Sequence, residues 1–170
     1  MLSLLTSVLR VLRVVLVAGI AGAGQPALAQ DAKLGKQIWL DKVNCRDCHG
    51  WGGHGVGDNP QASTGANLRR TTLTPDQIAE VIRCGRPGTE MPYFDRLSYT
   101  DDRCYGMTEA QIGPMKPAPG IATLIKREVD ALVALITTDF AGKGQPTFEE
   151  CKEFWGPTAT LCDRYPKAAN

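Results

Sequence analysis

The chain has no excess of charge of either sign: 19 Lys and Arg stand against 18 Asp and Glu over 170 residues, +1 overall. Composition therefore points to no nucleic acid and to no acidic surface as partner. It also lacks an apolar run of the roughly 20 residues that a membrane span needs; the run at 14–23 is shorter and gives way to Gly, Gln and Pro. It has no internal repeat and no low-complexity tract, and its length suits one domain. Acid is missing altogether from residues 1–29. There Arg10 and Arg13 precede the apolar run, and Ala27 and Ala29 supply small residues ahead of Gln30. That pattern predicts an export signal cleaved before Gln30 rather than a retained anchor. The remaining chain, with 17 basic and 18 acidic residues, is nearly neutral, as befits a soluble protein with a local docking patch.

Six cysteines remain to be explained, and two of them stand in Cys45-Arg46-Asp47-Cys48-His49. A bare Cys-x-x-Cys could be a redox dithiol or half of a zinc site. A thioredoxin-like dithiol wants a strand-to-helix context, which is missing. A zinc site wants a second pair of ligands at similar spacing, and Cys84, Cys104, Cys151 and Cys162 provide none. With His49 directly after the second thiol, the stretch is the attachment signature of c-type haem. The spacing serves the chemistry: Cys45 and Cys48 add to the porphyrin vinyl groups as thioethers, and His49 is delivered to one axial face of the iron.

The other four cysteines would sit in an oxidising compartment, where disulfides persist. Four cysteines allow three connectivities. The local pairings Cys84–Cys104 and Cys151–Cys162 are preferred, since each closes a short loop, and closing about 15 residues contributes roughly 3 kcal/mol.

Residues 31–43 read as a helix, with Leu34, Ile38 and Trp39 on one side. Gly35 and Trp39, four apart, share a face, so a bare backbone beside a large ring permits close helix contact. Five glycines within residues 50–60 make that stretch a loop. It carries His54, better placed facing solvent than as a second iron ligand on so short a tether. Trp51 either donates its indole N–H to a haem propionate or packs against the ring edge. Thr74-Pro75-Asp76-Gln77 is a helix start with a capping box, followed by Ile78, Val81 and Ile82 and stopped by Gly85. Beyond it lies Met91-Pro92 on a loop rich in Gly and Pro. A thioether there suits a sixth iron ligand, which raises the reduction potential. Spacing alone leaves Met107 and Met115 as rivals, and leaves Met91 open as a core filler. The stretch from 97 to 119 has no obvious elements, and a Cys84–Cys104 tether would brace the Met91 loop. A last helix is predicted over 121–140, with Leu124, Ile125, Val129, Leu132, Val133, Leu135 and Ile136 forming its apolar face. The tail from 145 to 170 is too aromatic for mere disorder.

In this order the pieces resemble the class I c-type cytochromes, over roughly residues 31–140. The helix with Gly35 and Trp39 is similar to that family's first helix, Cys45 to Gly50 to its haem motif, and Thr74 through Met91-Pro92 to its ligand segment. The resemblance implies a mostly α, cytochrome c-like fold around one covalent haem c, with His49 and Met91 as axial ligands. It also implies a single-electron carrier in the periplasm rather than an enzyme. Its donor would be a dehydrogenase or quinol-oxidising complex and its acceptor an oxidase or reductase. The expected organisation is a signal over 1–29, a cytochrome domain over 30–144, and a disulfide-closed extension over 145–170. Three departures stand out. The segment Thr64-Gly65-Ala66-Asn67-Leu68 lacks the family's proline near the proximal histidine, with Pro60 a candidate substitute. Leu135 replaces a common aromatic, offset by Trp39 opposite. The loop 94–120 and the tail exceed the family core. Rival functions are a fixed haem subunit of a periplasmic oxidoreductase, and a haem enzyme or gas sensor with an open iron position.

Overall fold

A proline in the first position opens helix α1 (Pro26–Gln37), where its missing N–H is no loss. The computed structural model describes residues 26–167, with side chains from residue 31. Residues 1–25, which hold most of the expected export signal, lie outside the described residues. α1 runs on into a π-helical turn, Ile38–Lys42, closed by Val43 N donating to the Ile38 carbonyl at 3.2 Å. The expected 31–43 helix is thus present, with an earlier start. Ile38 and Trp39 are buried, while Lys33 and Gln37 face solvent.

Helix α2 (Cys45–His49) is the haem motif itself, and a 3-10 turn follows at Leu68–Arg70. Helix α3 (Pro75–Cys84) starts at the predicted capping box: Thr74 N donates to Gln77 Oε1 at 2.9 Å and Gln77 N to Thr74 Oγ1 at 3.3 Å. It buries Ile78 and Ile82 and stops at Gly85, whose φ of 67° suits glycine.

The last core helix is shorter than predicted. Helix α5 (Lys126–Leu135) begins after Ile125, where Ile125 N donates to Glu128 Oε2 at 3.0 Å and Lys42 Nζ reaches Glu128 at 2.6 Å. Residues 121–125 lie ahead of it, so Ile125, expected on the buried face, is exposed, as is Ile121. α5 continues into a second π turn, Ile136–Phe140. Gly35 lies against the Ala131 carbonyl and Leu135 Cβ, and a methyl group there would collide with both. This is the close contact the glycine foreshadowed. Trp39 and Leu135 are buried in the same core, and the aromatic partner of Trp39 is further along the chain. Trp39 packs edge-on against Phe140, centroids 5.1 Å apart, and the two π turns place this pair. The core also holds Ile78, Ile82, Phe94 and Leu132, each such side chain contributing about 1.5–3 kcal/mol by leaving water.

Two satellite clusters flank this core. One surrounds Cys84 and Cys104, whose Sγ atoms lie 2.09 Å apart, and includes Tyr99 and Ile112. The stretch expected to be featureless carries α4 (Glu109–Ile112) and a 3-10 turn, Gly113–Met115. These elements are too short to show periodicity. The other cluster is the tail: α6 (Phe148–Trp155) and a 3-10 turn at Thr160–Arg164, joined by Cys151 and Cys162 at 2.06 Å and packed on Trp51. The described residues contain helices and two isolated β-bridges but no strand. The fold is mostly α and cytochrome c-like, and no described helix is long and apolar enough to cross a membrane.

Candidate haem pocket

Asn44, in the left-handed region at φ 50°, ψ 41°, turns the chain sharply into α2. Within that single turn Cys45, Cys48 and His49 fall three and four residues apart, hence on one face. Both cysteines are free of disulfides and, as residues, only partly buried. Burial pushes the Cys45 thiol up to about 12, with the charges of Cys48 and Asp47 adding to it against a backbone hydrogen bond. Burial also raises Cys48, assisted by Asp47 and Glu90. Such thiols are not poised as a redox dithiol, whose attacking sulfur is held as thiolate. Among the described residues, no group of three or more His, Cys, Asp or Glu could hold a metal ion, so a zinc site finds no support.

His49 is 9% exposed. Its Nδ1 donates to the Ala66 carbonyl at 2.8 Å, since a carbonyl can only accept. The ring is neutral in this arrangement, and its remaining lone pair is on Nε2. Burial holds the imidazole below its usual pKa, opposed in part by the Ala66 bond. The 64–68 segment thus supplies the partner of His49 through its backbone, without a proline; Pro60 is exposed. Gly65 makes the approach possible: a Cβ there would lie 2.7 Å from His49 Nδ1 and 2.9 Å from the Cys48 carbonyl. Gly65 N donates back to that carbonyl at 2.8 Å.

Cys45, Cys48 and His49 line a cavity of about 710 Å³, together with Met91, Ile82 and Leu132 among others. This lies within the roughly 300–1,000 Å³ of cofactor sites. Thr64, Thr72, Leu73 and Glu90 line it and are exposed, so it reaches the surface. Trp39, 1% exposed, lines it too, and its indole N–H has no partner among the described residues. Two thiols, an oriented neutral imidazole, a thioether and an apolar wall fit a c-type haem.

Met91 is fixed by its neighbours in sequence and by the insert. Its N–H donates to Thr89 Oγ1 at 3.2 Å, and its carbonyl accepts from Arg86 N at 3.1 Å. Downstream, Tyr93 N donates to the Ala118 carbonyl and Gly120 N to the Tyr93 carbonyl, at 3.1 and 2.8 Å. Neither rival methionine lines the cavity: Met107 packs beside the Cys84 cluster, and Met115 is exposed.

Two expectations in the glycine-rich loop are corrected. Trp51 does not line the cavity. It is buried under the tail, where its Nε1 donates to the Tyr165 hydroxyl at 2.7 Å. His54 is not solvent-facing but half-buried against Trp51 and Tyr165, and it does not line the cavity. Both miscarry for one reason: the tail folds back over this loop.

Sequence reasoning missed the residue that anchors the tail. Arg69 is buried, donating to Glu150 at 2.8 and 2.9 Å, to the Gly52 carbonyl at 3.3 Å, and to the Gly144 carbonyl. Glu150 also closes the α6 capping box with Thr147. The Thr147-x-x-Glu150 spacing was the available signal; nothing local marks Arg69.

Residues 30–109 match the family described as cytochrome c oxidase, cbb3-type, subunit III. Residues 30–109 form a c-type cytochrome domain: the matched segment contains the haem motif, the Ala66 bond and Met91. A domain of this kind binds haem c and serves electron transfer. No curated protein and no solved structure matches the chain.

Proposed function

We propose that the chain is an exported single-electron carrier with one covalently bound haem c. Cys45 and Cys48 would each add sulfur and hydrogen across a vinyl C=C bond, His49 would ligate the iron through Nε2, and Met91 would fill the opposite position. The observation that carries this reading is that, among Met91, Met107 and Met115, Met91 lines the cavity together with the haem motif. Bound haem c supplies a one-electron Fe(III)/Fe(II) couple. The protein's part is to hold both axial ligands so that little reorganises on electron transfer, to exclude water with Ile82 and Leu132, and to leave a surface opening near Thr64, Thr72 and Leu73. The residues 1–29 pattern and the two disulfides suit the periplasm. A periplasmic dehydrogenase or quinol-oxidising complex would be the donor, and an oxidase or reductase the acceptor.

Intact mass of the exported holoprotein tests this. The expected species begins at Gln30, carries one haem that survives denaturation, and has lost four hydrogens at the two disulfides. A haem removed by acid extraction would overturn the attachment.

A second reading has support of its own, because the matching family is named for an oxidase subunit. A permanently docked subunit would co-purify with a partner and elute as a complex on size exclusion, whereas a free carrier elutes alone.

A further inference from the structure

Two tyrosines of the insert stand in backbone conformations that tyrosine seldom adopts. Tyr99 has φ 63° and Tyr105 φ 55°; among the described non-glycine residues only Asn44 also has a positive φ. Left-handed backbone crowds Cβ, and only glycine, and to a lesser degree Asn and Asp, visit it readily. Tyr105 and Gly106, at φ 68°, are the central pair of the turn in which Met107 N donates to the Cys104 carbonyl at 2.9 Å. Turns with positive φ at both centres prefer Asn-Gly or Asp-Gly. A bulky aromatic in that place calls for a compensating contact.

Both hydroxyls provide one, at the same spot. Tyr99 donates to the Cys84 carbonyl at 2.8 Å, and Tyr105 to the Gly85 carbonyl at 2.6 Å. These consecutive carbonyls end α3 and begin the loop bearing Met91. The Cys84–Cys104 disulfide ties the same point covalently. Tyr105 N also donates to Glu80 Oε1 at 3.1 Å, seating its turn on α3. Gly85 is in turn wedged against the far end of the loop, where a Cβ would lie 2.7 Å from the Met91 carbonyl. A shift of the Cys84–Gly85 peptide therefore moves Met91.

We propose that Tyr99 and Tyr105 are positioning residues for the axial methionine: their hydroxyls, together with the disulfide, lock the Cys84–Gly85 hinge and hold Met91 against exchange with outside ligands. The proposal rests on Met91 being the iron ligand. The locking residues belong to the stretch 94–120, whose first part, through residue 109, lies within the family match.

The test uses the ferric holoprotein and imidazole as the competing ligand. Its binding rate reports how often the Met91 position opens. Tyr99→Phe and Tyr105→Phe remove only the hydroxyls, and each lost hydrogen bond is expected to speed imidazole binding about tenfold. The double variant should be faster still and lower in reduction potential, as methionine ligation weakens. Tyr165→Phe is the control: it removes a buried tyrosine contact to Trp51, far along the chain from Met91, and should lower thermal stability without changing the imidazole rate. Equal rates in wild type, Tyr99→Phe and Tyr105→Phe would overturn the proposal, as would acceleration by Tyr165→Phe to the same extent. A wild-type spectrum without the Met–Fe(III) band would instead strike the ligand assignment itself, a failure visible before any variant is made.

Discussion

The His49 Nδ1 and the Ala66 carbonyl oxygen lie 2.8 Å apart, across 17 residues of chain, and this bond sets both the tautomer and the orientation of the imidazole. A histidine whose far nitrogen is engaged by a carbonyl is a more basic ligand. Gly65→Ala places a methyl where the ring and the Cys48 carbonyl already sit, so the bond must lengthen. The expected result is a raised reduction potential and a lower yield of haem-loaded protein, read by redox titration and by absorbance ratio. An unchanged potential with full loading would show that the Ala66 bond does not tune the iron.

Arg69 and Glu150 form an ion pair between tail and core, with the Arg69 side chain only 3% exposed. Glu150→Gln leaves the guanidinium short of its counter-charge and weakens the α6 cap. Removing one partner of a buried pair costs about 3–5 kcal/mol, and the partial exposure of Glu150 places this case at the lower end. Denaturant unfolding should register that loss, while the haem spectrum of the folded variant stays unchanged.

The tail also governs how stability responds to acid. Burial first, then the charges of Arg69 and Arg164, hold the His54 imidazole below its usual pKa. The unfolded chain therefore takes up a proton at His54 at a higher pH than the folded chain does. The sign follows: stability due to neutral His54 is whole above the ordinary histidine pKa of about 6.5 and falls as pH drops below it. His54→Gln should show a shallower decline in unfolding free energy between about pH 6.5 and 5. A decline as steep as the wild type's would assign the acid sensitivity elsewhere.

Much of this was legible in the sequence because the signals are local. The haem motif is five contiguous residues, the Thr74–Gln77 box names its own helix, and Gly35 with Trp39 marks a close helix contact. What escaped was set by contacts between distant parts of the chain. Trp51 and His54 read as pocket or surface residues until the tail, more than ninety residues on, covers them. Ala66 contributes a carbonyl, and a backbone group leaves no mark in composition. The start of α5 was misplaced because Ile121 and Ile125 continue the apolar pattern, although Glu128 and Lys42 fix the helix end after them. Tyr99 and Tyr105 carry no local sign of their role, since their backbone conformations run against their own propensities.

The central claim is that His49 and Met91 ligate one haem iron. The most direct measurement is the visible and near-infrared spectrum of the ferric and ferrous holoprotein beside Met91→Ala. A low-spin spectrum is expected, with a weak charge-transfer band at about 700 nm from the thioether–iron bond, and with that band gone in the variant while variants of Met107 and Met115 retain it. A high-spin wild type that binds carbon monoxide or cyanide readily would mean an open iron position, and would contradict the electron-carrier account in favour of a haem enzyme or sensor.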